Sequence, residues 1–378
     1  MNSLYRNFHR IAWFCVTLCV LVIALGGYTR LNNAGLSCPD WPTCYGQITW
    51  PKDAHEIAAA NNQFERAVDV GKAKLEQVHR HLAATLGGLV LLLALIAVRK
   101  RPNGVWQVLF GAALVAASIP FYIKGMIFVS GLLAFLGQLQ LFILAWRWNN
   151  SDHARIAVII LFVIVFQALL GMWTVVWLVK PIVVMAHLLG GLTSLALILT
   201  MAWWASPGSA IRHADAQKLR LLLWIGLAVL GVQIALGGWT SANYAAMACG
   251  LDFPKCLGTW WPQTDFRQAF VLWRGVGVDY EGGVLDGAAR AAIHLTHRLF
   301  AIVAVIVLAT LAWRLWRSPG FRRFATALTV LLILQIGLGI ANVMLALPLM
   351  VAMAHLLVAV LIIMVIISML ARVQRLEH

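Results

Sequence analysis

The chain has 378 residues, of which 62% are hydrophobic and 11% charged. A soluble globular domain carries nearer a quarter charged residues, so a soluble fold is excluded. The net charge of +15 does not indicate a nucleic-acid partner, because the cations stand in connections between apolar runs.

Apolar stretches long enough to cross a bilayer recur along the whole length. Helices are expected near 11–29, 77–98, 105–123, 126–146, 156–178, 182–204, 219–240, 291–313, 324–347 and 349–371. The first follows Arg6 and Arg10, as a secretory signal would. No small-residue cleavage site succeeds it, and its motif recurs in the helix beginning near Leu219, so it is read as a retained helix. Basic clusters (Arg6/Arg10, Arg99/Lys100/Arg101, Arg147/Arg155, Arg212/Lys218/Arg220, Arg314/Arg317/Arg322/Arg323 and Arg372/Arg375) alternate with the long connections 30–75 and 241–290. Placing every cluster in the cytoplasm puts both termini there and both long loops outside.

The chain repeats itself. Gly26-Gly27-Tyr28-Thr29 parallels Gly237-Gly238-Trp239-Thr240, and Cys38…Cys44 parallels Cys249…Cys256. Glu76-x-x-His79-Arg80 parallels His294-x-x-His297-Arg298. Gln167…Gly171…His187 parallels Gln335…Gly339…His355, with 20 residues from Gln to His in both copies. The first copy carries an extra apolar segment at about 103–152, interrupted by Pro120 and Lys124-Gly125. Flanking basic clusters demand an even number of crossings there, so it reads as an inserted hairpin; a re-entrant pair that never spans is the alternative. The expected fold is an all-α integral membrane protein: a tandem repeat of two four-helix bundles, residues 1–204 and 205–378, plus the hairpin. That makes about ten transmembrane helices.

Ionisable side chains are costly in lipid and mark functional sites. His79 and His297 head their helices just after the long outer loops, and His187 and His355 lie two turns into theirs. A lone membrane histidine is commonly a polar contact between helices. Two duplicated pairs at matching depth instead suit two flat macrocycles with axial nitrogen ligands, that is, two haems. Zinc would want more ligands per site. Arg80 and Arg298 follow the histidines and are either propionate contacts or snorkelling anchors. The halves differ one helical turn earlier: Glu76 in the first, His294 in the second. A carboxylate beside one porphyrin and none beside the other points to chemistry in the first half and electron handling in the second, against the plainer reading of Glu76 as a solvated loop-end acid. Cys38/Cys44 and Cys249/Cys256 stand in the outer loops as candidate disulfides, structural or redox-active. Cys15 and Cys19 read as small buried hydrophobes within the first helix.

Taken in order, Gly26-Gly-Tyr-Thr-Arg30-Leu, Gly35-Leu-Ser-Cys38-Pro-Asp-Trp-Pro42, Glu76-x-x-His79-Arg80, Gln167-x-Leu-Leu-Gly171 and Ala186-His187-Leu188 resemble the bacterial haem A synthase family. The likeness covers nearly the whole chain outside the insert, which is absent from that family's eight-helix pattern. It implies a bacterial inner-membrane enzyme, with haem sites toward the periplasm, that oxidises a methyl group of haem O to the formyl of haem A. By the same resemblance His297 and His355 ligate a resident haem b, and His79 and His187 hold the substrate haem. Glu76 is the catalytic acid, and Cys38 and Cys44 form the outer-loop pair used in turnover. The candidate partners are haem O, membrane lipid, an electron acceptor, haem O synthase and a second copy of the chain. The rival reading is a two-haem b-type cytochrome passing electrons from quinol, which gives no account of the Glu76/His294 difference.

Overall fold

In a computed structural model, which describes residues 7–149, 152–213 and 216–375, the chain is almost entirely helical. Ten helices are long and apolar enough to cross a membrane: α1 (Phe8–Leu31), α3 (Val70–Val98), α4 (Gly104–Ile123), α5 (Ile127–Arg147), α6 (Ala154–Val176), α7 (Pro181–Ala205), α8 (Ala216–Ala242), α10 (Gly287–Trp316), α11 (Arg322–Met344) and α12 (Leu349–Arg372). Two short helices, α2 (Ala54–Gln63) and α9 (Phe266–Ala269), lie in the outer loops. A parallel pair of strands, β1 (Ile211–His213) and β2 (Val373–Arg375), joins the segment before α8 to the end of α12. The protein is an all-α integral membrane protein.

Every span anticipated from hydropathy forms, but α3 and α10 begin earlier, at Val70 and Gly287, than their apolar runs do. Their first turns are polar and are started by caps. Asp69 accepts from Lys72 N–H at 3.0 Å, and Asp286 accepts from Ala289 N–H at 2.8 Å. An apolar periodicity is blind to such turns, whereas a carboxylate satisfying the free N–H groups of a first turn starts the helix there.

Two compact units are distinguished by packing. One comprises Met1–Leu21, His81–Leu169 and Thr193–Ser209; the other comprises Val22–Arg80, Leu170–Leu192 and Ala210–His378. In the first unit, α4 and α5 form the inserted hairpin. A Cβ on Gly137 would come within 2.7 Å of Gly111 O and Val115 Cγ2, so glycine lets these helices approach backbone to backbone. At the hairpin's base Arg101 grips Asp152 with two nitrogens, Nε–Oδ2 at 2.8 Å and Nη2–Oδ1 at 2.9 Å. That fork ties the residue before α4 to the segment after α5. Leu93, Ile160, Leu195, Ile198 and Leu199 are fully buried in this unit.

In the second unit α8, α10, α11 and α12 pack in a closed ring, α8 on α10, α10 on α11, α11 on α12 and α12 on α8. The outer loops fold onto the helix ends. Cys38–Cys44 and Cys249–Cys256 are disulfides. Asp40 organises the first loop by accepting from Tyr45 N–H at 2.6 Å, from Gly46 N–H at 2.9 Å and from the Thr43 hydroxyl. Asp252 accepts from Gly258 N–H at the same place in the second loop. Arg66 reaches from the first loop to Glu281 and Asp279 in the second.

Candidate functional site

All four helix histidines belong to the second unit, and each lays the Cε1 edge of its ring against a glycine on a neighbouring helix. A Cβ on Gly26 would stand 2.8 Å from His79 Cε1. On Gly171, Gly237 and Gly339 it would stand 3.2 Å from Cε1 of His187, His297 and His355. A Cβ would force the ring to shift at Gly26 and to give by a few tenths of an ångström at the other three. The neighbouring glycines bring helices together. Gly27 packs on Met353 and Leu356, one residue from His355 along α12, and Gly238 packs on Met185 and Leu188 beside His187 on α7. The glycines quoted above as marks of the repeat are therefore the floor of each histidine's seat, a role the motif spacing alone does not disclose.

Glutamines complete two of these seats. Gln233 Nε2 lies 3.2 Å from His297 Nδ1, and Gln335 Nε2 lies 3.2 Å from His355 Nε2. His297 and His355 are within electrostatic range of one another. Val22 stands where the other copy has Gln233. The buried Nδ1 atoms of His79 and His355, and the Oε1 atoms of Gln233 and Gln335, have no hydrogen-bond partner among the described residues. Buried imidazole nitrogens without a partner are ready ligands. No group of three or more His, Cys, Asp and Glu side chains that could hold a bare metal ion occurs among the described residues. Imidazoles with no third protein ligand among the described residues fit a macrocycle that brings its own equatorial ligands, so the donor set fits haem.

One turn before His79 and His297 the halves part company. Glu76, 4% exposed, accepts from Cys38 N–H at 2.8 Å through Oε2 and from Arg80 Nη2 at 2.5 Å through Oε1. His294, also 4% exposed, meets Ala245 O through Nδ1 at 3.1 Å and Arg298 Nε through Nε2 at 3.0 Å. Both arginines then hold loop carbonyls. Arg80 donates to Asp40 O, Thr43 O and Cys38 O, and Arg298 donates to Lys255 O and Asp252 O. The guanidiniums expected beside propionates are thus committed to the disulfide loops. The structure brings Glu76, Arg80 and the Cys38–Cys44 loop into one network, and His294, Arg298 and the segment leading to Cys249–Cys256 into another. Gln233 and the glycine seats were not singled out from sequence as parts of the site. Their signal was a polar residue mid-helix in one copy against Val22 in the other, and a glycine at a constant distance from each histidine.

Comparison with known proteins places the chain in a family. Residues 9–367 match the COX15-CtaA family, described as cytochrome oxidase assembly protein. The chain is 36% identical over 338 residues to a Shewanella oneidensis protein named heme A synthase, covering 89% of this chain and 87% of the relative. A second protein of that name, from Rhizorhabdus wittichii, is 24% identical over 356 residues, covering 90% and 86%. The chain belongs to the COX15-CtaA family of cytochrome oxidase assembly proteins.

Proposed function

We propose that the chain is a haem A synthase, oxidising a methyl group of haem O to the formyl group of haem A. The observation that carries this reading is the unlike surroundings of two like histidine pairs: a carboxylate held in place beside His79, and a neutral imidazole in its stead beside His297. On this reading residues 1–204 form the substrate half, with His79 and His187 as ligands of haem O. Residues 205–378 form the half with a resident haem b on His297 and His355. Haem supplies the redox chemistry when bound, and the protein orients it and tunes its surroundings.

The chain's own residues then divide the work. The four glycine seats hold the imidazoles at one rotamer and depth. Glu76 lies one turn from His79 on the same helix face, where its carboxylate can take up or relay protons released as the methyl is oxidised. Arg80 and the Cys38 amide keep that carboxylate from swinging away. The outer loops shield the site from bulk water. A bacterial inner membrane with these loops on the periplasmic side and both termini in the cytoplasm agrees with the two disulfides and with the basic clusters between helices. Haem O, with its apolar tail, enters from lipid. Electrons leave to an acceptor outside the chain, and haem O synthase in the same membrane supplies the substrate.

The test is extraction and chromatography of the haems that co-purify from cells able or unable to make haem O. Haem B alone without haem O, and haem O or haem A in addition when it is supplied, is the expected result. Two equivalents of haem B under both conditions, with no haem A, would replace this reading with the two-haem cytochrome.

A further inference from the structure

Lys180 is fully buried, at 0% exposure, and its ammonium has no hydrogen-bond partner and no ion pair among the described residues. The amine sits 3.4 Å from the centroid of the Trp273 ring and 5.6 Å from that of Trp177. The two indoles meet edge to face at 5.7 Å. Trp273 comes from the second outer loop, which is laid over the start of α7 by Tyr280 N–H donating to Leu178 O at 3.2 Å. Aromatic faces offset part of the cost of burying a cation, but they accept none of its three N–H donors. A buried ammonium without an acceptor marks a place where an anion belongs.

The position on the helix says which anion. Val184 N–H donates to Lys180 O, so Lys180 caps α7. His187 follows seven residues later, two turns and about 10 Å further along the axis. In the other copy Pro348 stands where Lys180 does, seven residues before His355. The cation therefore belongs to one half alone, outward of its histidine. Arg80, the other nearby cation, is already occupied by loop carbonyls and Glu76.

We propose that Lys180 is the anion-binding residue of the first-half site, pairing with a propionate carboxylate of the haem held by His79 and His187, with Trp273 as its cover. The proposal rests on the reading of that half as the substrate site. Binding of the diacid closes the charge under the indole and orients the porphyrin edge. The resident haem, facing Pro348 instead, gains nothing from it.

The experiment uses full-length protein from cells that make no haem O, in phosphatidylcholine nanodiscs, titrated with ferric haem O and with its dimethyl ester. Soret absorbance reports binding in wild type, Lys180→Met, Lys180→Arg and His187→Ala. The proposal expects Lys180→Met to weaken haem O binding about tenfold, as loss of a charge-assisted bond does. Ester binding and the resident-haem spectrum should stay unchanged, and Lys180→Arg should restore the preference for the diacid. Equal loss for acid and ester would make Lys180 a packing residue and overturn the proposal. Unchanged haem O binding, together with a phospholipid that mass spectrometry finds on wild type and not on Lys180→Met, would assign the amine to a lipid phosphate and also overturn it. If His187→Ala binds haem O as wild type does, the substrate-half reading itself fails, and the proposal with it.

Discussion

Glu76 and Cys38 are joined by a hydrogen bond from the cysteine's backbone N–H to the glutamate's Oε2, at 2.8 Å in a buried setting. Glu76, one turn before His79, is thus tethered through one oxygen to one end of a disulfide loop and through the other to Arg80.

Glu76→Gln keeps the shape but loses one acceptor and the charge. Loss of a positioned acid–base group costs typically about 10²–10⁴ in rate. Conversion of haem O to haem A should fall into that range while the haem of the second half stays in place. The ratio of haem A to haem O in extracts measures the first, and the pyridine haemochrome of the purified protein measures the second. Full conversion by the variant would remove Glu76 from the chemistry.

The two disulfides should not be equivalent. Glu76 hangs from Cys38 itself, whereas His294 hangs from Ala245, outside the Cys249–Cys256 loop. Closing a loop this short contributes about 2–3 kcal/mol on the chain-entropy account. Removing either pair should therefore loosen its loop to a similar degree. Cys38→Ser with Cys44→Ser should cut haem A formation sharply, and Cys249→Ser with Cys256→Ser should leave most of it. Equal activity losses at equal protein level would refute the distinction.

The glycine seats give a contrast within one helix. On α11 a Cβ at Gly339 would press on His355 at 3.2 Å, whereas at Gly337 it would meet nothing within 4 Å. Alanine is the better helix former by about 1 kcal/mol, so neither change weakens α11 locally. Gly339→Ala should lower bound haem in the second half, and Gly337→Ala should not. Gly26→Ala, the tightest seat at 2.8 Å from His79, should spare that haem and abolish conversion of haem O. Spectra of the purified variants decide each case.

Acid stability of the inserted hairpin should depend on Asp152. Hydrogen bonds from Arg101 are the main cause holding its carboxyl below the usual range. The unfolded-state value lies near 3.9. The stabilisation is therefore complete at neutral pH, declines as pH falls past that value and is gone below the folded-state pKa. With side chains 20% and 21% exposed, the pair contributes about 0.5–1 kcal/mol. Thermal unfolding of wild type and Asp152→Asn in detergent should differ at pH 7, and the difference should shrink as the pH falls below about 3.9. A difference that does not change with pH would assign the effect to packing.

Hydropathy runs, basic clusters and the internal repeat made the ten spans and the doubled histidines legible in one dimension, because lipid admits few solutions: continuous apolar helices, with polar groups only where they serve. The Glu76/His294 difference was legible for the same reason, as a change of charge at a matched position. Which way those side chains turn was not. Glu76 was expected to share a face with His79, and it does, but its oxygens are held by Cys38 and Arg80 of the outer network.

Arg80 and Arg298 were open to two readings from their place at the interface; only the fold shows their donors gripping the carbonyls of loops some 40 residues away in sequence. Lys180 was not singled out from sequence; only the fold shows Trp273, from the other copy's loop, lying over its amine. Spans are written in local periodicity, so the sequence by itself determined the membrane fold. Hydrogen-bond partners, glycine contacts and burial depend on which distant segments meet, and only the tertiary structure decided those.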